Sequence, residues 1–133
     1  MRLYLDACAI IYAIEGAEPF HSAVLRRVTE VESLTGGVLL TSRLSLLECR
    51  VKPIRQNNTE LLSRYNDFFT RTKVEIVEIS SAVIDRATTL RAALNFKTAD
   101  SIHVATAHEA HADVFLTGDA SLARCPDVRV DVL

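Results

Sequence analysis

Four carboxylates in this 133-residue sequence fall where chemistry is done rather than where solvent is merely faced. Asp6 ends the short apolar run Leu3-Tyr4-Leu5. Glu48 lies among Leu44, Leu46, Leu47 and Val51. Asp100 follows Thr98 at the head of a helix-like stretch, and Asp119 closes Leu116-Thr117-Gly118-Asp119. Brought together without a counterion, four acids repel one another and raise one another's pKa values. A hard divalent cation removes that repulsion: Mg²⁺ takes oxygen ligands, commonly one or two carboxylates with waters and a substrate phosphate. Two such ions about 4 Å apart activate a water and stabilise the leaving oxygen in phosphodiester hydrolysis. Each acid also has an ordinary explanation. Asp6 and Asp119 can cap the helical turns that follow them. Asp100 in a first turn is favoured by the helix dipole, and Glu48 can bend out to solvent.

The elements decide between these readings. Leu3–Leu5 has the composition of a short buried strand. Ala7–Glu15 reads as a helix with Ile10, Ile11 and Ile14 on one face, stopped by Gly16. Pro19 starts a second helix to about Ser33, where Phe20, Ala23, Val24, Arg27, Val28 and Val31 form an i, i+3, i+4 stripe. After Gly36-Gly37, Val38–Leu40 is a second strand. Ser42 caps a helix from Arg43 to about Val51, which Pro53 ends, with Lys52 biased towards extended backbone. Thr59 caps an amphipathic helix carrying Leu61, Leu62, Tyr65, Phe68 and Phe69, a stripe that suits a core or a dimer interface better than base stacking. Val74–Ile79 is a third strand. Ser80 or Ser81 caps a helix ending at Asn95, and Thr98 caps another running to about His111. Ala112–Leu116 is a fourth strand, Ala120–Ala123 a short turn, and Val128–Val132 an edge strand. Strands alternating with helices predict one α/β domain over residues 1–133: a three-layer α/β/α sandwich with a central, mainly parallel sheet of four to five strands. In such a sheet the strand-to-helix junctions share one edge, where ligands bind. Asp6, Glu48, Asp100 and Asp119 are all expected at that edge.

Composition narrows the function. An apolar fraction of 49% supplies one real core, and a formal net charge of −2 leaves no global basic footprint. A nucleic-acid partner must therefore be gripped by a local patch or through metal ions. No apolar run is long enough to span a membrane. Cys8, Cys49 and Cys125 are scattered and odd in number, which fits reduced thiols and a cytoplasmic protein. Cys8 and Cys49 adjoin Asp6 and Glu48, but soft thiolates prefer Zn²⁺, and oxygen donors outnumber them here. His108-Glu109-Ala110-His111 is one residue short of His-Glu-x-x-His and reads as a solvated helix end. His103, one turn after Asp100 on a roughly shared face, can touch substrate or a partner, but reads rather as a packed or half-exposed side chain. Arg43, Arg50, Lys52, Arg55 and Lys97 are the basic residues nearest the acidic junctions. They can serve RNA phosphates or belong to a mixed surface.

Leu5-Asp6, Ser45-Leu46-Leu47-Glu48, Ala99–Ala107 and Leu116-Thr117-Gly118-Asp119, in this order and spacing, resemble a PIN domain. The resemblance extends over nearly the whole chain and is greatest to the VapC ribonuclease toxins of bacterial toxin–antitoxin pairs. It implies that Asp6, Glu48, Asp100 and Asp119 bind one or two Mg²⁺ or Mn²⁺ ions and cut RNA. It implies a homodimer held inactive by a cognate antitoxin, whose C-terminal segment enters the acidic cleft. Thr117 matches a hydroxyl position near the metal, while Gly118 stands where relatives often carry Asn or Asp. Thr117, Arg43 and Lys97 are the expected substrate-binding residues, and tRNA or rRNA loops the expected targets. A non-catalytic RNA-binding or scaffold PIN domain is the alternative, usually marked by missing acids. All four are present. A haloacid-dehalogenase-like phosphatase needs a second Asp where Cys8 stands, and a dinucleotide-binding module needs a glycine fingerprint that is absent.

Overall fold

The computed structural model describes residues 1–133. Its centre is β1 (Arg2–Leu5), whose residues alternate between two cores as the period-2 geometry of a strand dictates. Leu3 and Leu5 face one apolar cluster and Tyr4 the other. β2 (Val38–Ser42) and β4 (Val114–Thr117) flank it and divide their residues in the same way: Leu39, Val114 and Leu116 on one side, Leu40 and Phe115 on the other. β3 (Val74–Val77) and β5 (Val130–Val132) form the edges. All pairings are parallel, in the order β3-β2-β1-β4-β5.

Helices α1 (Ala7–Glu15), α2 (Phe20–Ser33), α3 (Arg43–Arg55) and α4 (Thr59–Phe69) contribute to the first core. α5 (Ser81–Leu94) and α6 (Thr98–Glu109) build the second, with Leu122 of a short 3₁₀ helix, Ala120–Arg124. This is the expected three-layer sandwich. The stripes of α2 and α4 are core: Val24, Val28 and Val31, then Leu61, Tyr65, Phe68 and Phe69, are buried. No helix is long and apolar enough to cross a membrane.

Caps and breakers account for the element ends. Ser42 and Ser80 cap α3 and α5 by accepting the amide protons of Leu44 and Val83, as expected. Gly16 and Asn95 close α1 and α5 in the left-handed conformation, at φ 77° and 55°. Gly37 is required for a different reason: a Cβ there would lie 1.9 Å from the Val31 carbonyl oxygen.

Several boundaries differ from the sequence reading. Pro53 does not end α3, which continues to Arg55 with Lys52 helical. A proline in a helix interior costs about 3 kcal/mol. Pro53 is buried, and its carbonyl accepts the amide of Asn58, the cap of α4, at 2.8 Å, so burial and this bond offset the local penalty. Thr59 and Thr98 are first helical residues rather than caps. Asn58 caps α4 through its side chain, and Lys97 precedes α6 without a side-chain cap bond. α6 stops at Glu109, two residues before His111, which is left-handed at φ 57°. β2 reaches Ser42, β3 stops at Val77, β4 is shifted to Val114–Thr117, and β5 begins at Val130.

Candidate active site

The carboxyl ends of β1, β2 and β4 lie side by side, and their last residues lock the edge on which the site is built. The buried Thr41 hydroxyl donates to the Leu5 carbonyl at 2.8 Å and meets Ser45 Oγ at 2.7 Å, joining the ends of β1 and β2 to α3. Asp6 follows β1 directly and is 5% exposed. Its Oδ1 accepts the Ala9 amide at 2.9 Å, so it does cap α1. Its Oδ2 accepts the Thr117 hydroxyl from β4 at 2.6 Å. Capping and orientation by a second strand thus act on the same carboxylate. Thr117 Oγ1 also accepts the Asp119 amide at 3.0 Å, which ties the Thr117–Asp119 turn to Asp6.

Burial, only partly countered by the bonds from Thr117 and Ala9, pushes the Asp6 carboxyl above the usual carboxylate range, and the Asp100 charge adds to the shift. Asp100, in the first turn of α6, is raised as well, first by burial and then by the charge of Asp119, with Glu48 contributing. Asp119 is exposed, and its carboxyl is held low by the Ser121 hydrogen bonds that make it the cap of the 3₁₀ helix. Lys97 lowers both Asp100 and Asp119 by its charge. None of Asp6, Asp100 and Asp119 takes part in an ion pair.

Glu48 reaches the same edge from α3, and its Oε1 accepts His103 Nε2 at 2.6 Å. His103 is fully packed, and its Nδ1 is 2.7 Å from the Tyr4 hydroxyl. Neither Tyr4 nor His103 stands out as functional in the sequence. The available signal was a phenol inside a buried strand, since a buried tyrosine hydroxyl needs a partner.

The basic residues divide. Lys97 sits at the acids. Arg43 is drawn away into a two-pronged pair with Glu78, at 2.6 and 2.9 Å, on an exposed surface. Lys52 pairs with Glu15 at 2.7 Å and Arg50 donates to the Leu46 carbonyl. Cys8 is exposed beside Asp6, while Cys49 and Cys125 are buried and all three thiols are free. A Cβ at Gly118 would lie 3.1 Å from Tyr12 Cε2 and 3.3 Å from Cys8 Sγ, so a side chain there requires those two to shift slightly. His108 bonds the Asp127 carbonyl and Glu109 pairs with Arg86, so that helix end is tied down rather than merely solvated. The largest surface groove, lined by Arg86, Leu90, Glu109 and Asp127 among others, holds none of the four acids.

The donor set suits a hard cation. It is all oxygen, two members are desolvated, and the nearby charges of Lys97 and His103 relieve their raised state only in part. No group of three His, Cys, Asp or Glu side chains is close enough to enclose an ion by itself. An ion here would take one or two carboxylates at a time and complete its shell with water or substrate oxygens, as Mg²⁺ commonly does.

A family model described as "PIN domain" matches residues 3–128. Solved structures share the fold. The VapBC-1 structure of nontypeable Haemophilus influenzae aligns at TM-score 0.79 and 17% identity, over 99% of this chain and 98% of that one. Rickettsia felis VapBC2 bound to a promoter DNA fragment aligns at 0.77 and 16%, over 99% and 98%. The sarcin-ricin loop cleaving toxin VapC20 of Mycobacterium tuberculosis aligns at 0.72 and 16%, over 96% and 98%. No curated protein matches the sequence significantly.

Proposed function

The chain belongs to the PIN domain family, and from that premise we propose that it is a divalent-metal-dependent endoribonuclease acting as a toxin of the VapC type. What supports this reading is the convergence of Asp6, Glu48, Asp100 and Asp119 on one sheet edge, where Asp6 and Asp100 are partly or wholly desolvated and neither is held in an ion pair, the charges of Lys97 and His103 offsetting their burial only in part.

In this reading Asp6, Glu48, Asp100 and Asp119 supply the ligands for Mg²⁺, one or two carboxylates to an ion, with Mn²⁺ as a substitute. The bound ion would supply Lewis acidity and a lowered water pKa at the scissile phosphate. The chain's own residues do the rest. Thr117 fixes the Asp6 carboxylate by donating to Oδ2. Lys97, beside Asp100 and Asp119, attracts the phosphate backbone. Arg43 contributes to RNA binding only after release from Glu78. Water adds to phosphorus and the 3′ oxygen leaves with a proton, giving a 3′-hydroxyl and a 5′-phosphate. The substrate class is RNA, with tRNA or rRNA loops as targets; the M. tuberculosis neighbour is described as cleaving such a loop.

The toxin part of the reading includes a homodimer and a cognate antitoxin, and the neighbours from H. influenzae and R. felis are VapBC structures. A guanidinium from such a partner would substitute for the metal among the carboxylates. Three free thiols agree with a cytoplasmic location.

The absence of any three ligand side chains within coordinating reach favours a second reading, a non-catalytic RNA-binding or scaffold PIN domain. One experiment separates them. Total RNA is incubated with the protein in Mg²⁺, in chelator, and with Asp100→Asn in Mg²⁺, with circular dichroism as a check on folding. Cleavage in the first condition alone is expected. Equal cleavage in all three overturns the metal mechanism, and no cleavage in any of them selects the second reading.

A further inference from the structure

Two buried polar side chains meet at this edge and have no part in the reading above. Tyr4, in β1, has no solvent exposure, and His103, on α6, is 2% exposed. The Tyr4 hydroxyl lies 2.7 Å from His103 Nδ1, and His103 Nε2 lies 2.6 Å from Glu48 Oε1. A phenol and an imidazole are costly to bury unless their polar atoms are paired. Here every one is: no buried side-chain nitrogen or oxygen lacks a partner. The pairing leads outward, from a strand in the sheet's interior to a carboxylate that keeps 30% of its side chain exposed. A leucine and a phenylalanine would fill the same core space without any of these bonds.

We propose that Tyr4 and His103 are positioning residues that hold the Glu48 carboxylate in place and thereby set the affinity of the site for a divalent cation. The inference rests on the metal-binding role of Glu48 given above. A carboxylate only accepts, so His103 Nε2 is the donor and Glu48 Oε1 the acceptor. The Tyr4 hydroxyl engages the remaining ring nitrogen and fixes the ring's rotation. Tyr4 is itself held: it stacks on Phe115 with centroids 5.0 Å apart and planes 14° apart, and meets the His103 ring edge-on at 6.0 Å. Rigidity built into the sheet therefore passes through two aromatic rings to the end of a long, flexible side chain. One Glu48 oxygen is used and Oε2 is left for a ligand. Partners of this kind behind a ligating group typically contribute about 10–100-fold in metal affinity.

The test is calorimetric titration with Mn²⁺, with no RNA present, alongside RNA cleavage as a function of Mg²⁺. The proteins are wild type, Tyr4→Phe, His103→Gln, His103→Ala, Glu48→Gln and the double variant Tyr4→Phe/Glu48→Gln. Tyr4→Phe is expected to weaken Mn²⁺ binding about 10-fold and to raise the half-saturating Mg²⁺ in proportion, with KM for RNA and kcat at saturating Mg²⁺ unchanged. His103→Ala loses more, up to about 100-fold. His103→Gln, whose amide can donate as Nε2 does, recovers most of it. In the Glu48→Gln background Tyr4→Phe has no further effect. Should His103→Ala fail to fold, Tyr4→Phe and His103→Gln carry the test alone. Unchanged Mn²⁺ affinity in Tyr4→Phe, or an equal loss with and without Glu48, overturns the positioning role and leaves the nuclease standing. A wild type that neither binds Mn²⁺ nor cleaves RNA overturns the nuclease reading first.

Discussion

Replacing Thr117 by valine isolates the joint between β4 and the Asp6 carboxylate. The substitution keeps the shape of a residue that is fully buried and removes a single hydroxyl. That hydroxyl donates to Asp6 Oδ2 at 2.6 Å and accepts the Asp119 amide at 3.0 Å. A hydrogen bond to an ionised carboxylate contributes about 1.5–3 kcal/mol net, and one between neutral groups about 1 kcal/mol. With Asp6 ionised, the expected loss of stability is about 2 kcal/mol. At a urea m-value of about 2 kcal/mol per molar, the midpoint falls by about 1 M.

The pH dependence follows from the direction of the Asp6 shift. Its folded-state pKa is raised, so its contribution to stability is full below the unfolded carboxylate pKa and is lost as pH rises through the folded value. The Thr117 bond limits that rise, so its removal raises the folded pKa further and deepens the loss at neutral pH. Below the unfolded value the carboxyl is neutral in both states, and the variant should cost only about 1 kcal/mol. The assay is urea unfolding in chelator at pH 7 and near pH 3, followed by circular dichroism. An unchanged midpoint, or the same difference at both pH values, refutes the claim that Thr117 supports an ionised Asp6.

Asp100→Asn, which should abolish cleavage, should also raise the melting temperature of the metal-free protein at pH 7, because it removes a half-buried charge opposed by Asp119 and Glu48. The gain should vanish near pH 3, where the raised Asp100 is already neutral, and differential scanning fluorimetry in chelator reads both points. Gly37→Ala forces a Cβ to within 1.9 Å of the Val31 carbonyl, so backbone must move; a loss of about 2–4 kcal/mol in urea unfolding is expected, and a loss under 1 kcal/mol contradicts the close approach. Phe115→Ala removes a fully buried ring stacked on Tyr4, and should cost about 3–5 kcal/mol by the same measurement. In the active site, Gly118→Asn sets a Cβ against the Tyr12 and Cys8 side chains on an exposed turn, where both can shift; a change of no more than about 1 kcal/mol in urea unfolding is expected, and a larger loss would show that they cannot move.

Much of the architecture is local in origin. Leu3, Tyr4 and Leu5 alternate between two cores because a strand has a period of two, and Val24, Val28 and Val31 line one face because a helix has a period of 3.6. Ser42, Ser80, Gly16 and Asn95 mark helix ends because a hydroxyl oxygen or a left-handed residue does the same work wherever it stands. The order of strands and helices, and with it the common edge for Asp6, Glu48, Asp100 and Asp119, follows from such short-range rules. Pro53, Thr59 and Thr98 escaped them. Burial of Pro53 offsets its local cost, and with Thr59 and Thr98 the neighbour one residue earlier takes the cap position.

Pairings across the chain are another matter. Nothing near Glu48 in sequence announces a histidine 55 positions away, nor does the neighbourhood of Tyr4 announce the same histidine 99 positions on. Arg43 stands among the acidic junctions in sequence yet turns to Glu78, because a long exposed side chain takes whichever carboxylate packing brings within reach. Residue types and their spacing were enough for the layers, the parallel sheet and the edge to which the acids go, since all three depend on hydrophobic period and chain turns. Which oxygen of Asp6 faces Thr117, which of Glu48 is held by His103, and how far apart the four carboxylates stand depend on contacts between distant segments, and those arise only when the two cores close on the sheet.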